Sequence, residues 1–332
     1  MTSCISQEKI DGLKKLLGNA RKVALAGHVH PDGDAIGCIT AMGLYLKREL
    51  GKDVVCMFPD AIPENLEFVL NPSLRYLWGK SEDADLVILM DCNAFSRTDV
   101  LGEALAGSSA PKVLIDHHLN PDTASFDLVF STPDISSASE LTFWILKAMG
   151  WDMRDNETGE ALLTGMTTDT NNFANSVFPS TFTMASELIA SGVDRDAVLQ
   201  KIYFSYRENR VRVMGYMQNE GLVILPGGAA YMILTKDIQK RFDLREGETE
   251  GLVNVPLSIG EVRLSLLLKE DKDHFRVSLR SKKGTSAQKC AVKYFNGGGH
   301  ENAAGGRLYP EKDLRGMSLE EYVKKALLES LK

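Results

Sequence analysis

The sequence predicts an α/β protein of two domains: a mainly parallel-sheet N-terminal domain with helices on both faces, and a smaller α/β C-terminal domain with an antiparallel hairpin, joined by a helical linker. Short apolar runs alternate with helical patterns through the first part of the chain, as βαβ units do. Three of those runs end in Asp or His: Val23-Ala24-Leu25-Ala26 leads into Gly27-His28-Val29-His30-Pro31-Asp32-Gly33-Asp34, Leu86 to Met90 into Asp91, and Val113-Leu114-Ile115 into Asp116-His117-His118. Polar residues at strand exits lie where open parallel sheets bind ligands. Beyond the linker the pattern changes to period two, which reads as paired antiparallel strands.

In order, Ser6 caps a helix to about Leu17, and Lys22 to Ala26 is a strand. Ala35 to Leu50 has helical spacing (Ile36, Ile39, Met42, Leu46, Leu50) and stops at Gly51. Val54 to Phe58 is a strand, Pro63 to Leu70 a short helix, and Leu86–Met90 and Val113–Ile115 are strands. Ser137 and Glu140 read as a capping box opening a helix to about Met149. An apolar helix, about Gly159 to Thr167, runs into Thr168-Asp169-Thr170-Asn171-Asn172-Phe173. Thr181 to Ala190 and Arg195 to Tyr203 are helical, and Arg207 to Glu220, charged on most faces, reads as the connecting helix. The expected domains are 1–205, a connecting helix 206–222, and 223–332.

In the last domain Val262, Leu264, Leu266 and Leu268 alternate with polar neighbours, Asp271-Lys272-Asp273 turns the chain, and Phe275, Val277 and Leu279 alternate back. Arg276, Ser278 and Arg280 share the opposite face. Ala287 to Tyr294 is a short helix, Asn296 to His300 a glycine loop, and Ser318 with Glu321 caps a final helix.

The chain has 332 residues, 44% hydrophobic and 25% charged, as in soluble globular proteins. Its net charge of −7 argues against a grip on long nucleic acid, which takes a basic surface, but leaves room for a local basic pocket. The polar N-terminus and the lack of any long apolar run predict a cytoplasmic protein with no membrane association. Five scattered cysteines, none in a Cys-x-x-Cys pair, read as reduced, mostly buried thiols.

The candidate ligands are His28, Asp32, Asp34, Asp91, His117 and Asp169. Carboxylates mixed with imidazoles suit Mn²⁺ better than Mg²⁺ or structural zinc. Four carboxylates balance two divalent ions, and an Asp shared between ions about 3.5 to 4 Å apart lets them bridge and acidify one water. Hydrolysis of a phosphate ester is the natural reaction. Taken singly, a strand-end Asp is more often a helix cap; it is the joint occurrence that carries the reading, since five of the six histidines lie in these loops or the glycine loop. Asp116 reads as a group that orients an imidazole, and His30 as a satisfied or supporting histidine. Arg276 to His300 holds six Lys or Arg (Arg276, Arg280, Lys282, Lys283, Lys289, Lys293) and no acid, and ends in three glycines that can approach a phosphate closely.

His28-x-x-Pro31-Asp32-x-Asp34-Ala35-x-Gly37, the strand end at Asp91, Asp116-His117-His118 and Thr168-Asp169-Thr170 resemble the four motifs of the DHH phosphoesterases. Ser278-Leu279-Arg280-Ser281 and Gly297-Gly298-Gly299-His300-x-Asn302-Ala303-Ala304-Gly305 resemble the DHH-associated C-terminal domain. Length and organisation resemble most the bacterial oligoribonuclease (nanoRNase) and pAp phosphatase branch.

The resemblance implies one metal on His28, Asp32 and Asp91 and another on Asp34, Asp91, His117 and Asp169, with Mn²⁺ the expected ion. It implies that His118, with Asp116, serves catalysis at the scissile phosphate, and that Arg280, Ser281, Gly297, Gly298, Gly299, His300 and Asn302 bind the far end of a short oligonucleotide or nucleotide. The implied activity is hydrolysis of short oligoribonucleotides, and of 3′-phosphoadenosine 5′-phosphate, by a metal-bridging hydroxide. Asn171 and Cys38 depart from the Gly and Ser common at those positions in the family. A cyclic- or linear-dinucleotide phosphodiesterase is the alternative. A RecJ-like exonuclease is disfavoured by the acidic chain, and an inactive nucleotide-binding module by the complete ligand set. Long duplex nucleic acid is not an expected partner, and a homodimer is left open.

Overall fold

The computed structural model describes residues 4–332, which form two compact units, one ending at Ser205 and the other running from Tyr206 to Lys332. The first unit comprises, in order, α1 (Gln7–Asn19), β1 (Lys22–Ala26), α2 (Gly33–Arg48), β2 (Asp53–Phe58), β3 (Arg75–Trp78), β4 (Leu86–Met90), α3 (Gly102–Gly107), β5 (Lys112–Asp116), β6 (Leu128–Ser131), α4 (Ala138–Met149), α5 (Asn156–Asp169), α6 (Pro179–Ala190) and α7 (Arg195–Tyr203). Segments of 3₁₀ helix at Glu64–Val69, Phe95–Leu101 and Thr123–Ser125 lie in the connections.

The six strands form one parallel sheet in the order β3-β2-β1-β4-β5-β6. The chain leaves β1 towards β2 on one side and returns to β4 on the other, so the carboxyl ends of β1 and β4 flank the topological switch point, the crevice where such sheets take ligands. Alternation along each strand serves two cores. Val23, Leu25, Ile88, Met90, Val113 and Ile115 face α1, α2, α4 and α5, whereas Ala24, Val55, Met57, Val87, Leu89 and Leu114 face a thinner cover built from Phe95, Leu101 and Leu105. Strands β3 and β6, not anticipated from sequence, are four-residue edges with partly exposed side chains. Helix α2 is buried on every side from Gly33 to Leu46, packed between the sheet and its neighbouring helices.

The expected capping box of α4 forms only in half. Ser137 accepts from the Glu140 backbone N–H at 2.9 Å, but the Glu140 side chain turns away from the Ser137 amide to Ser136 and Thr181. The Ser318–Glu321 box at the last helix is complete.

The second unit comprises α8 (Glu208–Asn219), β7 (Val223–Leu225), β8 (Ala229–Leu234), α9 (Lys236–Arg241), β9 (Leu264–Glu270), β10 (Phe275–Ser281), α10 (Ala287–Tyr294), β11 (Gly298–Gly299), β12 (Ala303–Leu308), α11 (Pro310–Asp313) and α12 (Leu319–Ser330). The hairpin pairs Val277 with Leu268 and Leu279 with Leu266, and lies within a six-stranded mixed sheet, β11-β12-β10-β9-β8-β7, in which β8 runs parallel to β9. Leu266, Leu268, Val277 and Leu279 bury against α10 and α12. On the other face Val213 and Met217 of α8 meet Met232, Leu234 and Leu267, so α8 packs as part of this unit.

Candidate metal centre

The exits of β1, β4 and β5 and the end of α5 bring six side chains together. His28 is buried, and its Nδ1 lies 2.7 Å from the carbonyl oxygen of Val29. That bond assigns the proton to Nδ1 and leaves Nε2 as the ring atom able to ligate a cation. Nε2 stands 3.4 Å from Asp91 Oδ2 and 3.9 Å from Asp32 Oδ1. Asp32 caps α2, its Oδ1 accepting from the amides of Asp34 and Ala35. His117 Nε2 stands 3.4 Å from Asp91 Oδ1, 3.6 Å from Asp169 Oδ2 and 3.8 Å from Asp34 Oδ2. Asp91 therefore turns one oxygen towards each imidazole.

These contacts make two clusters, His28 with Asp32 and Asp91, and Asp34 with His117 and Asp169, the ligand atoms within each lying no more than 4.8 Å apart. A third group sits beside them: Asp116 Oδ1 accepts from His118 Nδ1 at 2.8 Å, and its Oδ2 accepts from the His118 amide at 3.1 Å. His30 points its Nδ1 at Asp60 Oδ2, 3.4 Å away, and takes no part in the clusters.

Helix packing places the rest. The backbone N–H groups of Ala138 and Ser139, the first residues of α4, donate to Asp34 Oδ2 and Oδ1 at 2.6 and 2.9 Å. A carboxylate at a helix N-terminus is favoured by both the bonds and the dipole. Sequence reading missed this contact, which spans about a hundred residues and has no local signature. Helices α2 and α5 meet through glycine: a Cβ on Gly37 would stand 2.5 Å from the Ala161 carbonyl, and one on Gly33 would stand 2.3 Å from Thr168 Oγ1. That close approach brings Asp169 beside Asp34. The backbone at Asp91 is left-handed, φ 51°, which a non-glycine residue adopts only at a cost, as functional sites often do. Asn171 is also left-handed, φ 47°, a conformation that Asn tolerates better than most residues, so the absence of Gly there is accommodated. Burial and the charges of Asp34, Asp91 and Asp32 push the Cys38 thiol well up, and it donates to the Ala35 carbonyl.

The residues fit divalent cations. Asp91 Oδ1 is buried and makes no hydrogen bond. Burial alone would lower the His28 imidazole, yet Asp91 and Asp32 raise it to about 9, and His117 is likewise raised well above its usual value, against burial, by Asp169, Asp91 and Asp34. Burial, then Asp91 and Asp169, push the Asp34 carboxyl well up. Asp91 itself is held well below the carboxylate range because the two imidazoles outweigh its burial. Asp169, whose side chain is 32% exposed, is pushed up to about 6 by desolvation within this crowd, with Asp32 and Asp91 adding to it and His117 opposing. Such a concentration of negative charge draws protons onto its histidines and is relieved by cations. The oxygen-rich, thiolate-free donor set is of the hard to borderline kind.

In the second unit Arg280 lies on β10 between Ser265 and Ala303, and its Nη1 donates to the Leu279 carbonyl at 2.9 Å. Asn302 Nδ2 donates to Ser281 Oγ at 2.9 Å and to the Thr285 carbonyl at 3.1 Å, while Ser281 Oγ donates to that same carbonyl at 2.7 Å, so these two side chains brace the loop after β10. A Cβ on Gly297 or Gly299 would collide with the carbonyl of Gly305 or Ala303, so both glycines are required by strand pairing; at Gly298 the space is open. His300 turns the chain, its amide donating to the Ala303 carbonyl at 2.7 Å. The basic run is partly neutralised inside the unit: Arg276 forms a two-pronged pair with Glu246 at 2.7 and 2.9 Å, and Lys282 Nζ donates to the Ile259 carbonyl at 2.9 Å.

Residues 22–170 match the DHH family, N-terminal domain, and residues 229–325 the DHHA1 domain. The chain is 30% identical to the bifunctional oligoribonuclease and PAP phosphatase NrnA of Bacillus subtilis strain 168, over 86% of this chain and 89% of that one. It is 31% identical to the probable enzyme of the same name from Streptococcus mutans, over 85% and 88%. An exopolyphosphatase-related protein from Bacteroides fragilis, solved by crystallography, superposes with a TM-score of 0.88 at 35% identity, covering 100% of this chain and 97% of that one. With both domains matched in order along the chain and relatives about 30% identical over most of it, the chain belongs to the DHH family.

Proposed function

We propose that the protein is a phosphoesterase that hydrolyses short oligoribonucleotides to mononucleotides and 3′-phosphoadenosine 5′-phosphate to AMP, using two divalent ions, Mn²⁺ best. The observation that carries this reading is Asp91, a buried carboxylate shared between two imidazole-containing clusters at the switch point of the sheet. The relatives named as oligoribonuclease and PAP phosphatase support the substrate class.

His28, Asp32 and Asp91 would hold one ion and Asp34, Asp91, His117 and Asp169 the other. When bound, such ions supply Lewis acidity that generates a nucleophile from water at neutral pH and offsets charge on the phosphoryl oxygens. The Val29 carbonyl fixes the His28 tautomer, and the α4 amides fix Asp34, so both ligands are set before substrate arrives. Asp116 holds His118 by Nδ1, leaving Nε2 as the atom that meets a phosphate oxygen. Arg280 and the open backbone at Gly298 take the far phosphate, with Ser281, Asn302, Gly297, Gly299 and His300 shaping their loop. The cytoplasm is the proposed location, in keeping with buried thiols at all five cysteines and with no helix among the described residues long and apolar enough to cross a membrane.

Release of mononucleotide from oligoribonucleotides of graded length, run beside pAp and linear and cyclic dinucleotides with Mn²⁺ or with a chelator, tests the proposal. Metal-dependent release from the shortest oligonucleotides and from pAp is expected. Turnover confined to cyclic dinucleotides, or undiminished by exhaustive chelation, would overturn it.

A further inference from the structure

Glu140 is a fully buried carboxylate with no part in the centre described so far. Its Oε2 accepts from the Ser136 amide at 3.1 Å, from the Ser136 hydroxyl and from the Thr181 hydroxyl at 2.7 Å, and its Oε1 accepts from Trp144 Nε1 at 3.3 Å. These donors come from the loop before α4, from α4 itself and from α6. Such a carboxylate and its donors could be replaced together by apolar groups of the same shape at little cost in stability, so stability alone does not account for it. What it does is pin the chain at Ser136, two residues before the amides of Ala138 and Ser139 that hold Asp34 at 2.6 and 2.9 Å.

We infer that Glu140 is a positioning residue for the metal centre: it fixes the mouth of α4, whose two amides aim the Asp34 carboxylate at the cluster shared with His117 and Asp169. It acts on that cluster selectively, because His28, Asp32 and Asp91 take their positions from β1, the α2 cap and β4 instead. The inference rests on Asp34 being a metal ligand. Outer groups that orient a ligand typically matter about 10- to 100-fold in metal affinity.

Glu140→Leu is close in volume and removes both acceptor oxygens, so the bonds to Ser136 and Thr181 are lost in every rotamer. Mn²⁺ binding to the whole protein, followed by calorimetry with the bound ions counted by electron paramagnetic resonance, gives the readout, and Asp34→Asn marks which site is which. Wild type is expected to bind two ions. In Glu140→Leu the site weakened by Asp34→Asn should lose about 10- to 100-fold in affinity while the other stays within about twofold. Trp144→Phe, which spares the Oε2 bonds, should bind as wild type does. Ser136→Ala, which removes one hydroxyl donor and leaves Glu140 in place, should show a smaller loss at the same site, and it carries the test if Glu140→Leu does not fold. Unchanged affinities in these Glu140 and Ser136 variants, or equal loss at both sites with a lowered melting temperature, would overturn the inference. A wild type that binds no Mn²⁺ would instead sink the metal-centre reading, and the positioning role with it.

Discussion

Gly165→Ala probes the packing that builds the centre without touching a ligand. Gly165 lies within α5, and a Cβ there would stand 1.9 Å from Ser139 Oγ and 2.9 Å from both Ser139 Cβ and Asp34 Oδ1, where ordinary contact begins at 3.4 Å. The serine hydroxyl can rotate away. The other two contacts are each about 0.5 Å too close, so Asp34 or the start of α4 must move by about that much. Alanine gains about 1 kcal/mol over glycine in a helix interior, and overpacking costs about 1 to 3 kcal/mol, so the net loss of stability is small, at most about 2 kcal/mol. Metal coordination is less forgiving, since ligand distances hold to within about 0.2 Å. The expected result is a melting temperature lowered by a few degrees, together with at least about tenfold weaker Mn²⁺ binding and slower nucleotide release. Gly18→Ala, where nothing lies within 4 Å, is the control and should leave metal binding and rate unchanged. A Gly165→Ala protein with wild-type metal content and turnover would refute the claim that the approach of α4 to α5 sets Asp34.

Asp91→Ala should abolish turnover and weaken both metal sites, because each of its oxygens faces a different imidazole; two ions still bound at near-normal rates would show that it does not bridge. On the proposed reading Arg280→Ala would remove a charge-assisted contact worth about 1.5 to 3 kcal/mol, so KM for short oligonucleotides should rise roughly ten- to more than a hundredfold, while cleavage of a small generic phosphodiester is unaffected; equal damage to both substrates would assign Arg280 to the fold. Glu246 is held at about 2, chiefly by its bonds to Arg276 and then by Lys269, so the stability it adds is present above its ordinary carboxylate range and is lost as pH falls towards 2. Its side chain is 54% exposed, which limits that contribution to about 1 kcal/mol. Acid unfolding followed by circular dichroism should show Glu246→Gln losing stability at pH 7 and converging with wild type near pH 2; parallel curves throughout would refute the linkage.

The residues that cluster at the strand exits were legible in the sequence because what marks them is local. An apolar run of β period that stops at Asp or His announces a strand exit, and His28, Asp91, Asp116 and His117 all follow from that pattern. Helix caps behaved similarly: Ser6 and Ser318 each accept from an amide in the first turn, as a side chain three residues away can do wherever the helix lies. Glu140 is the instructive exception, since its half of the capping box lost to Ser136 and Thr181, and Thr181 is a competitor from another helix that no window around residue 140 contains.

What the sequence by itself determined, then, was which residues stand at the ends of which strands and helices. The tertiary structure alone decided that β1 lies between β2 and β4, so that His28 and Asp91 meet; that α4 turns its first amides onto Asp34; that Arg276 is claimed by Glu246; and that β8 joins β9 in parallel. Strand and helix periods are dictated by steric limits within a few residues. Pairings across a hundred residues are settled by burial of whole faces, to which each residue contributes only a small and non-directional share.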